Sequence, residues 1–181
     1  MKIFITGGAK NGKSSLAQEL ALKLADGGTR YYVATMIPSD QEDLDRIARH
    51  IADRAGLGFT TIECGRNIDQ CLTKADPGGT FLVDSVTALL LNELFPDPSS
   101  CDMDLEAPER CAGQLTEFVK GVKNAVLVSD YIYSDACRYD EVTENYRRGL
   151  AGLDRLLARL CDTVIEVSAG SLIVHKGEMP K

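Results

Sequence analysis

Apolar residues along the chain fall into short continuous runs separated by stretches with a helical rhythm. Ile3-Phe4-Ile5, Tyr31-Tyr32-Val33-Ala34-Thr35, Thr80-Phe81-Leu82-Val83-Asp84 and Asn124-Ala125-Val126-Leu127-Val128-Ser129 predict strands buried on both faces. Phe59 to Glu63, Asp162 to Val167 and Leu172 to His175 predict three more, the last two split by the turn Ser168-Ala169-Gly170-Ser171. Between these runs the period changes. Leu16, Leu20 and Leu24, with Ala17, Ala21 and Ala25 beside them, predict a helix with a small-residue face suited to a sheet, stopped by Asp26-Gly27-Gly28. Gln41 to Arg54 predicts a second helix, in which Leu44, Ile47 and Ile51 share a face and His50 lies on its flank.

Asn67 to Lys74 predicts a short helix with Ile68 and Leu72 inward, ended by the turn Asp76-Pro77-Gly78-Gly79. Ser85 to Phe95, Glu109 to Lys123 and Tyr146 to Cys161 complete the helices. Pro96 to Pro108 is acidic and rich in Pro and Ser, the composition of a surface loop, and Asp130 to Thr143 is polar and aromatic without a clear period. Strand and helix alternate to the end, so residues 1–181 are expected to form one three-layer α/β domain. Its sheet is mainly parallel, with helices on both faces.

One connection carries chemistry. Gly7-Gly8-Ala9-Lys10-Asn11-Gly12-Lys13-Ser14 joins the first strand to the first helix and fits G-x-x-x-x-G-K-S/T. Its glycines let backbone N–H groups close around phosphate oxygens at the positive end of the helix. Lys13 is placed to reach the β and γ phosphates, and the Ser14 hydroxyl to ligate Mg²⁺. The domain is therefore expected to bind a nucleotide, with the P-loop fold.

Composition narrows this reading. The chain has 181 residues, 44% hydrophobic and 26% charged, and no apolar run approaches the ~18 needed for a membrane span. The N-terminus enters a strand without an export signal, which points to the cytoplasm. A net charge of −7 argues against nucleic acid as a main partner, since phosphate backbones require a basic face. Cys64, Cys71, Cys101, Cys111, Cys137 and Cys161 include no C-x-x-C pair, so they are expected to be reduced thiols without a metal role.

Ligands of parallel sheets sit beyond the carboxyl ends of the strands. The loop at 7–14, Thr35-Met36, Glu63, Asp84 and Asp130 should therefore crowd one edge. Asp84 ends a hydrophobic strand in the manner of a Walker B acid and is the candidate to orient Mg²⁺ opposite Ser14. An imidazole can take a nucleotidyl group from an α-phosphate as a phosphoramidate. Of the two histidines, His175 reads as structural, and position alone leaves His50 as an exposed helix-flank residue.

The pattern as a whole resembles a known family, the bifunctional adenosylcobinamide kinase/adenosylcobinamide-phosphate guanylyltransferases of cobalamin biosynthesis. The matching pieces are Thr6 to Ser14, Tyr32-Val33-Ala34-Thr35, Arg46-Ile47-Ala48-Arg49-His50 with Arg54, and Thr61-Ile62-Glu63. Leu82 to Thr87 with Asn92 and Arg147 to Ala158 leading into Val164–Gly170 extend the match. The resemblance implies a RecA-like fold and two reactions. ATP or GTP phosphorylates the aminopropanol hydroxyl of adenosylcobinamide. GTP then guanylylates a histidine, here His50, and GMP passes to the cobinamide phosphate. It also implies nucleotide contacts from Glu63, Asp84, Ala34, Thr35, Met36, Ile51, Ala52, Asp53 and Arg54, and a homo-oligomer, commonly a trimer.

Two departures stand out. Phe59 replaces a Trp usual after the histidine helix. Asp130-Tyr131-Ile132-Tyr133-Ser134-Asp135 replaces an Asn-Glu-Val-Gly segment that normally follows the strand ending at Ser129. A P-loop kinase of small molecules that has lost guanylyl transfer is the alternative expectation.

Overall fold

The computed structural model describes residues 1–97, 99–100 and 102–180. In chain order the elements are β1 (Lys2–Gly7), α1 (Lys13–Ala25), β2 (Arg30–Ala34), α2 (Gln41–Asp53), β3 (Thr60–Glu63), a 3₁₀ turn (Ile68–Gln70) and α3 (Cys71–Lys74). They continue as β4 (Thr80–Asp84), α4 (Val86–Leu94), α5 (Ala107–Gly121), β5 (Asn124–Asp130), α6 (Glu141–Leu160), β6 (Thr163–Ser168) and β7 (Ser171–Lys176). The strands form a single sheet in the order β3-β2-β4-β5-β1-β6-β7. Neighbours from β3 to β6 are parallel, and β7 turns back antiparallel to β6 at the edge.

Alternation along the strands divides the interior into two cores. Ile3, Ile5, Leu82, Val126 and Ile165 pack against Ala17, Leu20 and Ala21 of α1. Phe4, Val33, Phe81, Val83 and Leu127 point the other way, against Leu89, Leu90, Leu115, Phe118, Leu150 and Leu157 of α4, α5 and α6. Each central strand is buried on both faces, so it needs apolar residues at successive positions. This is the physical origin of the continuous runs.

Three boundaries differ from the pattern expected. α6 begins at Glu141 rather than Tyr146 because Asp140 caps it, its carboxylate accepting from the Thr143 N–H at 2.8 Å. The added turn is polar, so apolar spacing does not reveal it. α5 starts earlier as well, with Pro108 in its first turn. The segment expected as one helix from Asn67 to Lys74 is a 3₁₀ turn followed by one helical turn.

α2 stands apart. Asp40 caps it through the Asp43 N–H, yet none of its residues is buried. Leu44 and Ile51 are 48% and 52% exposed, so its apolar stripe joins neither core. Cys64, Cys71, Cys111 and Cys161 are buried free thiols and Cys137 is an exposed one; the reading made for Cys101 lies outside the described residues. Among the described residues, no helix is long and apolar enough to cross a membrane.

Candidate nucleotide-binding cleft

The carboxyl ends of β1 to β5 open into a cleft of about 1690 Å³, walled on one side by the phosphate loop and on the other by α2. Strand register sets its floor. Ala34 lies level with Glu63 and Asp84, Asp84 with Val128, and Gly7 with Asp130. A smaller groove of about 530 Å³ between α5 and α6 is lined largely by apolar side chains and holds none of the phosphate-loop or strand-end residues.

The loop is shaped by close approach. A Cβ at position 7 would collide with the Val167 carbonyl of β6, and Gly12 has φ +85° where it turns into α1, so both positions favour glycine. Asn11 reaches the same Val167 carbonyl through Nδ2 at 3.5 Å. Lys13 is 5% exposed, and its ammonium donates to the Gly8 carbonyl at 2.6 Å and pairs with Asp130 Oδ1 at 2.6 Å. A buried cation needs such partners.

Asp84 is the centre of the floor. Its Oδ2 accepts from the Tyr32 hydroxyl at 3.0 Å and lies 4.0 Å from His50 Nδ1. Burial, and then the Asp84 charge, push the Tyr32 phenol well above its ordinary range, so it stays a donor. The Arg54 guanidinium lies over the Tyr32 ring, its Cζ 4.0 Å from the centroid, and its Nη2 donates to Thr61 Oγ1. Tyr32 thus joins α2 to the sheet from beneath.

The residues singled out from the sequence divide into three groups. Ala9, Lys10, Asn11, Gly12, Lys13 and Ser14 line the cleft from the loop, and Ala34, Met36, Glu63 and Asp84 from the strand ends. His50, Ile51, Asp53 and Arg54 line it from α2. Gly7 and Gly8 lie behind this surface as backbone. Thr35 is fully buried; its Oγ1 accepts from the Ser85 N–H at 2.6 Å and its carbonyl accepts from Asn92 Nδ2 at 2.7 Å. Ala52 lies outside the lining. His175 is on β7, where its ring meets Glu166 at 2.8 Å.

Asp130, expected at this edge, lines the cleft, and so does Tyr32, to which the sequence gives no role of its own. Asp130 carries the same signal as Asp84, a carboxylate closing an apolar strand. Nothing in the sequence marks Tyr32, because its role depends on pairing across the sheet.

Beyond Asp130 the aperiodic segment is fixed to α6. Arg147, 7% exposed, donates to the Ile132 and Cys137 carbonyls and pairs with Asp135 at 2.8 Å and Glu144 at 2.7 Å. Tyr133 donates to buried Asp154 at 2.7 Å, while Asp154 Oδ1 and nearby Ser129 Oγ meet no partner of good geometry.

A glycine-rich strand-to-helix loop with a buried lysine, facing a strand-end acid across a parallel sheet, defines a P-loop nucleotide-binding enzyme. The flagellar accessory protein FlaH of Methanocaldococcus jannaschii shares the fold at TM-score 0.52, with 14% identity over 99% of this chain and 79% of that one. A second solved structure, an ATPase domain, does so at TM-score 0.53, with 10% identity over 99% of this chain and 78% of that one.

The family profile described as cobinamide kinase / cobinamide phosphate guanyltransferase matches residues 3–174, and the chain belongs to that family. The bifunctional adenosylcobalamin biosynthesis protein CobP of Pseudomonas aeruginosa is 32% identical over 179 residues, covering 98% of this chain and 99% of that protein. The corresponding CobU of Salmonella typhimurium is 36% identical over 97 residues, about half of each chain.

Proposed function

We propose that this chain phosphorylates the aminopropanol hydroxyl of adenosylcobinamide and then transfers GMP from GTP to the product through His50. The observation that carries this reading is the meeting of two reactive centres in one cleft. Lys13 is set for the β and γ phosphates, and His50 for an α-phosphate. Because Nδ1 of His50 faces Asp84, Nε2 is left to attack phosphorus. The P–N bond then forms as pyrophosphate leaves, and a cobinamide phosphate oxygen later displaces the imidazole. Retention of both His50 and Asp84 favours this two-step reading over a kinase alone.

Ser14 and Asp84 would hold Mg²⁺. Their oxygens are hard donors, and Mg²⁺ suits a site with few protein ligands because it keeps waters and substrate phosphates. The ion supplies neutralisation of phosphate charge. The uncombined thiols support a reducing cytoplasmic location. Exposed Leu172, Ile173 and Val174 on edge strand β7 offer a surface for assembly of copies, a trimer by resemblance, and the chain would act as one domain.

Incubation with GTP carrying ³²P at the α-phosphate tests the assignment. Label should enter the protein in an acid-labile, base-stable bond, and His50→Ala should abolish it. Labelling that survives this substitution removes His50 as the nucleophile.

A further inference from the structure

We infer that Asp130 is the general base of the kinase step, accepting the proton of the substrate hydroxyl as that oxygen attacks the γ-phosphorus. This rests on the kinase activity proposed above and adds a catalytic group to it.

Position is the first argument. β5 lies between β1, which carries the phosphate loop, and β4, which carries Asp84. Asp84 is level with Val128 on β5, and Asp130 is two residues further along that strand. Two residues restore the same face of a strand, so Asp130 extends the row of acids outward, directly beside the loop. Its Oδ1 lies 2.6 Å from Lys13 Nζ. A carboxylate in contact with the lysine that holds the terminal phosphates is also adjacent to the phosphoryl group being transferred.

The alternatives are placed less well. Glu63 ends β3, at the far edge of the sheet, with β2, β4 and β5 between it and β1. Asp84 already receives the Tyr32 hydroxyl and faces His50. His50 is reserved for nucleotidyl transfer. Asp130 is the acid that adjoins the loop and still reaches solvent, its side chain 23% exposed.

Its backbone is also held. The Asp130 N–H donates to Thr87 Oγ1 at 2.8 Å, and the Tyr131 N–H donates to the Gly7 carbonyl at 3.2 Å. A general base needs this fixed reach toward the reacting proton. The step balances without another reactant. The hydroxyl proton passes to the Asp130 carboxylate, the hydroxyl oxygen bonds to the γ-phosphorus, and the bond from that phosphorus to the bridging oxygen breaks. The nucleoside diphosphate leaves with that bond's electron pair. When Lys13 turns to the phosphates, it frees Oδ1 for the proton.

The test measures initial rates of adenosylcobinamide phosphorylation from ATP, with ATP dissociation constants by fluorescence titration, for wild type, Asp130→Asn and Asp130→Glu. The Asn variant keeps the side-chain shape but cannot take the proton. Its kcat should fall about 100-fold or more, with ATP affinity unchanged or tighter because a negative charge near the phosphates is gone. Asp130→Glu should recover part of the rate. A kcat within about threefold of wild type overturns the inference. So does a loss of ATP affinity that accounts for the whole defect, since Asp130 would then serve binding. If wild type forms no cobinamide phosphate, the kinase reading fails and this inference with it. If wild type and Asp130→Asn both form it at similar rates, only the base assignment fails.

Discussion

α2 and the segment from Tyr131 to Asp140 are held to the molecule in opposite ways. α2 is a regular, capped helix that brings His50 to the cleft, but it buries none of its residues. Its ties to the sheet are local, through Arg54 over Tyr32 and His50 near Asp84. Tyr131 to Asp140 has no helix or strand, yet Arg147 and Asp154 of α6 grip it from below. Regular secondary structure and firm attachment are separate properties. A helix without a buried face draws its stability from caps and local pairs. A loop whose carbonyls and acids converge on one buried cation is fixed by that cation.

The largest test of this contrast is Arg147→Met. It keeps the aliphatic bulk but leaves the Ile132 and Cys137 carbonyls without the guanidinium, and Asp135 and Glu144 with Tyr139 alone. Urea unfolding should show a loss of about 3 kcal/mol, the scale for losing several hydrogen bonds made by a charged donor. A loss below about 1 kcal/mol would mean that the segment is held by other means.

Asp154 gives the next largest effect, with the opposite sign. Burial raises its carboxyl from 3.8 to about 6, with the Tyr133 hydrogen bond offsetting part of the rise. The folded chain therefore holds a proton that the unfolded chain releases, so the charged carboxylate costs stability above about pH 6. That cost fades as pH falls toward 4. Asp154→Asn has no such proton to lose, and its amide oxygen still accepts from Tyr133. It should be more stable than wild type by about 2 kcal/mol at pH 8, and the two melting curves should converge near pH 4. A gap independent of pH would show that the carboxylate is not the source.

The smallest effect belongs to α2. Leu44→Ser and Ile51→Ser should each change unfolding free energy by less than about 0.5 kcal/mol, as for exposed positions. Losses of about 2 kcal/mol in the monomeric chain would place that stripe in a core after all.

The elements that form the sheet were legible because burial on both faces leaves continuous apolar runs, as at Phe81-Leu82-Val83. The phosphate loop was legible because its glycines answer to backbone crowding that any such loop shares. Periodicity recovered α2 as a helix, but an apolar stripe reports a face and not what covers it; Leu44 and Ile51 remain in solvent. The Tyr131–Asp140 segment was opaque for a different reason. Its order depends on Arg147, and an arginine inside a helix looks the same in sequence whether it meets water or carbonyls. Tyr32 was hidden likewise, since its partner Asp84 is 52 residues away. Asp130 was legible as a strand-end acid at the ligand edge, but its contact with Lys13 depends on the pairing of β5 with β1.

Gly7 presses against Val167, and β1 pairs with β5 on one side and β6 on the other. β1 therefore leaves the ribosome well before either of its partners has been made. At ordinary elongation speeds that interval is on the order of ten seconds. During translation the phosphate loop has no wall to close against, so a growing chain has no finished cradle to offer a nucleotide.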